Sequence, residues 1–201
     1  GRGASTADYD RDGDIDVFVS NYRLDANFFL LAEEEYDVET DSYSHRFRDI
    51  SHNNGTKGTV VAGAYGHTIG SAFGDIDNDL DLDLVQANLA HPFFYWFSDT
   101  STVLVNEDGF FTDEAAERGL YYRETHSNPS LFDADNDGDL DLFITAVYAS
   151  RDSDFYLNDG TGHFSLSNYE SGLVQRNGWG SATADVDNDG DLELMAYDLF
   201  R

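Results

Sequence analysis

The chain has 201 residues, 40% of them hydrophobic, and a formal net charge of −29. That is long enough for one domain with its own core and too apolar for a disordered acidic tail. Charge of this sign excludes nucleic acid and anionic membranes as partners, the absence of cysteine excludes disulfides and thiolate metal sites, and no apolar run is long enough to cross a bilayer.

The chain opens at Gly1-Arg2-Gly3 with no initiator Met or signal peptide, and reads as a mature or partial chain. The first element is a run of small residues, Gly3–Ser5, suited to a crowded strand. A loop of alternating carboxylates follows: Asp8, Asp10, Asp12, Asp14 and Asp16. An apolar strand is predicted over 15–19. An acidic insertion, Glu33–Ser44, is expected to lengthen an outer hairpin. Asn54-Gly55-Thr56 is an N-glycosylation sequon, so Asn54 is a candidate modification site.

The same pattern returns three times. Gly70–Ala72 precedes Asp75, Asp77, Asp79, Asp81 and Asp83, and a strand follows over 82–87. Asp133, Asp135, Asp137, Asp139 and Asp141 precede a strand over 140–145. Gly180–Ala182 precedes Asp185, Asp187, Asp189, Asp191 and Glu193, with a strand over 192–196. These strands are apolar on both faces, as in a sheet packed on both sides. Asp108-Gly109 predicts a hairpin joining 103–106 to 110–112, and Asp159-Gly160-Thr161-Gly162 one joining 155–158 to 163–166. Glu114–Gly119 predicts one short helical turn.

Five acidic side chains in nine residues repel one another unless a hard cation sits among them. A divalent ion that takes six to eight oxygens removes the repulsion, and Ca2+ fits best. Positions 1, 3, 5 and 9 of each loop offer side-chain oxygens and position 7 its carbonyl, so about four ions are expected, one per loop. An EF-hand needs Glu at position 12, where Val19, Gln86, Ile144 and Ala196 stand, and helical flanks are missing. The second loop has Leu80 where the others have Gly. If that turn needs a positive φ, this site is the weakest or most distorted. The longer Glu193 binds in its own way.

Loop starts at 8, 75, 133 and 185 give a period near fifty residues, and four-stranded propeller blades are the leading architecture. The expected fold is all-β, a partial propeller of about three and a half blades. Blade boundaries fall at about 1–60, 61–120, 121–172 and 173–201, the last blade incomplete.

Three sequence stretches sharpen this reading. Ala72-Phe73-Gly74-Asp75 followed by Asp77-Asn78-Asp79 resembles the signature of the FG-GAP, or VCBS, repeat family. Asn106–Asp113 followed by Ala115–Leu120, and Leu157–Phe164, resemble the segments between blades in repeats of the cartilage acidic protein type. The resemblance implies calcium-bearing β-propellers like the head of integrin α subunits. It places the loops between the first and second strands of each blade, near one rim.

The implied role is non-catalytic: structural, adhesive or recognition-based, in an extracellular, secreted or cell-surface protein with a protein or glycan ligand. The other readings are a calcium-dependent polysaccharide-lyase-like enzyme or lectin, and a subunit of an extracellular filament or surface layer whose open ends are covered by further blades or other copies. Phe93, Phe94, Tyr95, Trp96 and Phe97 are a candidate ligand or partner surface, with packing as the bland reading. Trp179 reads as a packed residue. His67 and His126 read as structural hydrogen-bonding groups, with Tyr121, Tyr122, Arg123 and Glu124 a candidate polar cluster beside His126. No P-loop, nucleophile elbow or dinucleotide fingerprint occurs, and no catalytic residue is assigned.

Overall fold

The computed structural model describes residues 1–61, 63–90, 98–120, 125–148 and 151–198. Three four-stranded antiparallel sheets follow one another along the chain. The first is β1 (Gly3–Ala7), β2 (Asp16–Ser20), β3 (Phe28–Asp37) and β4 (Ser42–Asp49), in that spatial order. A small hairpin, β5 (Val60–Val61) and β6 (Ala64–Tyr65), leads into the second: β7 (Thr68–Gly74), β8 (Asp83–Asn88), β9 (Thr102–Glu107) and β10 (Phe110–Asp113). The third is β11 (His126–Phe132), β12 (Asp141–Ala146), β13 (Asp154–Asn158) and β14 (Phe164–Leu166). A one-turn helix, α1 (Asn168–Ser171), precedes a two-stranded sheet, β15 (Gly178–Ala184) and β16 (Glu193–Asp198).

The all-β class is as expected, and each strand predicted after a carboxylate loop begins one residue later than the sequence pattern placed it. The acidic insertion lengthens the β3–β4 hairpin, whose second strand is exposed throughout. Glu114–Gly119 makes its single turn, with the Arg118 N–H donating to the Glu114 carbonyl at 2.9 Å. The α1 turn and the β5–β6 hairpin were not foreseen. Phe93–Phe97 and Tyr121–Glu124 lie outside the described residues.

The core sits between sheets. Alternation in β12 sends Leu142 and Ile144 to one face and Phe143 to the other, and all three are fully buried. Leu142 and Ile144 pack with Val85, Val103 and Tyr156, joining the second and third sheets. Phe143 packs with Phe155, Leu194 and Ala196, joining the third and fourth. Phe18 and Phe29 pack with Leu84 and Leu104, joining the first and second. Burying each such side chain contributes about 1.5–3 kcal/mol.

The first strands β1, β7, β11 and β15 lie side by side. They approach so closely that a Cβ on Gly3 would stand 2.8 Å from the Ile69 carbonyl oxygen, and one on Gly70 2.5 Å from that of Ser127. Short hydroxyl contacts fill the seams: Ser5 Oγ to Ser71 Oγ at 2.7 Å and Ser130 Oγ to Ser181 Oγ at 2.7 Å. The small residues of the sequence are what this packing admits.

Candidate metal centres

Each carboxylate loop joins the first strand of a sheet to the second. Counting from Asp8, Asp75, Asp133 and Asp185, position 4 is left-handed in every loop: Arg11 (φ 59°), Asn78 (61°), Asn136 (63°) and Asn188 (61°). Position 6 is left-handed too: Gly13 (98°), Leu80 (78°), Gly138 (97°) and Gly190 (102°). The turn therefore does need a positive φ at position 6. Leu80 accepts it at a cost of about 1–2 kcal/mol, and its side chain is 71% exposed.

Backbone donors tie the loop to its own carboxylates. The N–H of position 6 donates to Oδ2 of position 1 at 3.1, 3.0, 3.0 and 3.1 Å in the four loops. The second loop keeps this bond despite Leu80. The N–H of position 7 donates to Oδ1 of position 5 at 2.9, 2.8, 3.0 and 3.0 Å.

The consequence is convergence of positions 1, 3 and 9. Asp8, Asp10 and Asp16 each present one oxygen within 4.8 Å of the others, as do Asp75, Asp77 and Asp83; Asp133, Asp135 and Asp141; and Asp185, Asp187 and Glu193. Oxygens about 2.3–2.6 Å from one Ca2+ stand at most about 5 Å apart, so each triangle fits one ion. Within these groups Asp8 Oδ1, Asp77 Oδ1 and Asp185 Oδ1 are buried with no hydrogen-bond donor. Such atoms are costly unless a cation meets them.

Position 9 is held at both oxygens where a third strand is beside it. Asp83 Oδ2 accepts from the Ile76 N–H at 3.1 Å and Oδ1 from Asn106 at 2.8 Å. Asp141 accepts likewise from Ala134 and Asn158, both at 2.9 Å, and Asp16 from Tyr9 at 3.1 Å and Ala32 at 2.8 Å. Burial still wins over these donors: it pushes the Asp83 carboxyl up to about 7, and those of Asp16 and Asp141 above the usual carboxylate range. Asp10 and Asp135 are raised as well, by desolvation first and by their neighbours Asp12 and Asp137 second. A bound cation reverses each of these penalties.

The other predicted ligands sit differently. Asp12, Asp79, Asp137 and Asp189 fold back onto their own loops and stand outside the convergent groups. At position 7, the Asp81, Asp139 and Asp191 side chains face the preceding loop. Arg11 reaches Asp81 at 2.8 Å, Asn78 reaches Asp139 at 2.8 Å and Asn136 reaches Asp191 at 2.9 Å. Position 4 of each of the first three loops thus clasps position 7 of the next.

The sequence reading missed Arg118. Its guanidinium donates to Asp77 Oδ2 at 2.8 Å, to Glu114 Oε2 at 3.0 Å and to the Thr161 carbonyl at 2.9 Å. It positions the second carboxylate of the second loop, at position 3, from outside, while Asp77 Oδ1 is left without a donor. Nothing local in Glu117-Arg118-Gly119 announces this; the contact spans 41 residues.

Among the remaining predicted residues, Asn54 is buried at 6% exposure and its Oδ1 accepts from the Thr56 N–H and hydroxyl at 3.2 and 2.7 Å. His126 is buried between Ser101 Oγ at 2.7 Å and Asp154 Oδ2 at 3.1 Å. Ser101 is 4% exposed and its Oγ also accepts the Asn88 N–H at 3.0 Å, so this trio is an internal strut. His67 is buried against the Tyr22 ring. Trp179 is half-buried.

Comparison with known families adds one finding: residues 133–196 match the FG-GAP-like repeat. That segment runs from the first carboxylate of the third loop through the fourth loop into β16, and it supports the FG-GAP/VCBS-type repeat recognised in the sequence. No curated protein matches the chain.

Proposed function

We propose that this chain is a calcium-bearing segment of a β-propeller whose work is structural, adhesive or recognition-based rather than catalytic, in an extracellular or cell-surface setting. The observation that carries the reading is the fourfold convergence of positions 1, 3 and 9, with buried oxygens left without a donor. The FG-GAP-like match over 133–196 and the side-by-side first strands support the propeller.

Asp8, Asp10 and Asp16, and their counterparts in the other three loops, would hold the ions. Bound calcium supplies positive charge and a cross-link between the first and second strands. The chain's own part is preorganisation: left-handed turns and backbone donors hold the carboxylates together against their repulsion. An ion bound only by the folded form stabilises it by RT ln(1 + [L]/Kd) per site. With Kd around 10⁻⁴–10⁻³ M, as in extracellular modules, the sites fill outside a cell and stay largely empty in cytosol. Among the described residues no helix is long and apolar enough to cross a membrane. The acidic rim suits a cation-bridged protein or glycan ligand, not nucleic acid.

Thermal unfolding in Ca2+, in Mg2+ and in chelator tests the reading. A melting point that rises with Ca2+ well above that in Mg2+ is expected, since Mg2+ dehydrates reluctantly and demands octahedral geometry. Incubation with acidic glycans separates the roles. Calcium-dependent retention fits recognition, and a calcium-dependent cleavage product contradicts the non-catalytic assignment.

A further inference from the structure

We propose that the tip of the β3–β4 hairpin is a docking site for the arginine or lysine side chains of a basic segment of a partner protein. Two exposed tyrosines, a carboxylate at each end of their shared face, and the place of the hairpin in the fold carry the inference.

The Ala32 N–H donates to Asp16 at 2.8 Å, as Asn106 does to Asp83 at 2.8 Å and Asn158 to Asp141 at 2.9 Å. These bonds align the third strands of the three sheets. β13 stops at Asn158 and β9 at Glu107, whereas β3 continues to Asp37 and stays paired with β4 throughout. The hairpin beyond Ala32 therefore projects past the layer in which the sheets pack, on the side of the carboxylate loops. Its exposure follows from that projection.

Pairing sorts the side chains of the tip onto two faces. On one face Arg46 meets Glu33 at 3.1 Å and Glu35 at 3.2 Å, and Arg48 meets Glu33 at 2.8 Å, so opposite charges offset each other. On the other face Tyr36 stands opposite Tyr43, and Glu34 opposite His45. The two rings lie 5.0 Å apart between centroids, tilted by 50°. They are 47% and 66% exposed. Glu34 flanks them towards the body of the sheet. At the turn the Tyr36 hydroxyl donates to Asp41 Oδ1 at 2.6 Å, which brings a second carboxylate to the same rings.

Charge selects the occupant. Residues 33–44 carry Glu33, Glu34, Glu35, Asp37, Glu39 and Asp41 and no Lys or Arg. Among the described residues none of these belongs to a convergent carboxylate group, so an ion in the loops leaves this charge in place. Tyrosine faces attract cations through the ring quadrupole, arginine most often, and neighbouring carboxylates add to the attraction. A second copy of the chain does not fit, because each carries a net charge of −29. The inference deepens the recognition role proposed above and rests on it.

The probe is a fluorescein-labelled octapeptide alternating arginine with serine, added to the intact chain in Ca2+, with a glutamate–serine octapeptide as control. The readouts are anisotropy and the NMR shift of the arginine δ protons. Saturable binding of the arginine peptide alone is expected, with its δ protons moved upfield by the rings. Tyr36→Leu with Tyr43→Leu keeps an apolar cross-strand pair without π faces and weakens binding about tenfold, whereas Tyr36→Phe with Tyr43→Phe stays within about twofold. Glu34→Gln with Asp41→Asn weakens binding about fivefold and flattens its salt dependence. Should the Leu pair loosen the hairpin, the Phe pair and the carboxylate pair decide the matter. Equal binding by the Leu pair and the parent chain, carboxylate substitutions without effect, or cellotetraose binding the rings where the arginine peptide does not would each overturn the proposal. Ca2+ uptake is measured on the same samples: uptake without peptide binding overturns this site and leaves the metal reading standing, and peptide binding without uptake does the reverse.

Discussion

Asn78 donates its Nδ2–H to Asp139 Oδ1 at 2.8 Å, across 61 residues, and so ties the second carboxylate loop to the third. The left-handed φ at Asn78 places it to do so. Arg11–Asp81 and Asn136–Asp191 repeat the relationship. The side chains of position 7 therefore serve the junctions between loops, and only their carbonyls are left for an ion. Replacing Asn78→Asp sets two carboxylates face to face and loosens the junction; adding Asp139→Asn restores a donor–acceptor pair with the roles exchanged. A double-mutant cycle by urea unfolding should return a coupling of about 1 kcal/mol. Zero coupling would remove the clasp from the account.

Arg118 joins three elements through Asp77, Glu114 and the Thr161 carbonyl. Arg118→Met strands the half-buried Asp77 carboxylate. A loss of about 1.5–3 kcal/mol is expected in chelator, as for hydrogen bonds to charged groups. The loss shrinks in saturating Ca2+, because the ion takes over the compensation of Asp77. Chemical denaturation in the two conditions checks this; equal losses would mean that Arg118 and the ion do not share that carboxylate.

Leu80 sits at φ 78° where the other loops have Gly. Its exposed side chain has little packing to lose, so Leu80→Gly relieves strain and is worth up to about 1 kcal/mol, less the entropy glycine adds to the unfolded chain. Gly138→Leu in the third loop should cost about 1–2 kcal/mol by the same reasoning. Opposite signs for the two substitutions are the expected result of paired urea titrations.

The pH dependence of the ion-free chain follows from Asp83, whose carboxyl burial raises to about 7, and from Asp16 and Asp141, raised in the same direction. A carboxyl with a raised folded pKa holds a proton that the unfolded chain, near 3.9, has released. Between about pH 4 and 7 the folded state binds more protons, so stability falls as pH rises through that window. In chelator the melting point should be higher at pH 5 than at pH 7.5. Saturating Ca2+ should reverse the order, because protons then compete with the ion. Melting curves at the two pH values, with and without chelator, settle the sign.

Much of this was legible in the residues. Loop recurrence gave the four units, and two-faced apolar strands such as Leu140–Thr145 announced sheets packed on both sides. Alternating carboxylates pointed to groups that could hold a metal ion, and Leu80 to the strained turn. What stayed hidden depends on contacts remote in sequence. Alternation alone does not separate positions 1, 3 and 9, which converge, from positions 5 and 7, which turn to the loop and its neighbour; two left-handed residues decide it. Nothing in the sequence singled out Arg118, because two of its three partners lie 41 and 43 residues away. Asn54 carries a sequon, yet the seam between the first two sheets buries it.

Calorimetric titration of the chelator-stripped chain with CaCl2 addresses the central claim most directly. About four ions per chain are expected, one for each convergent carboxylate group, and Asp133→Asn with Asp141→Asn should remove one of them. A stripped chain that takes up no Ca2+ at millimolar concentration, with a melting point unmoved by the ion, would contradict the account.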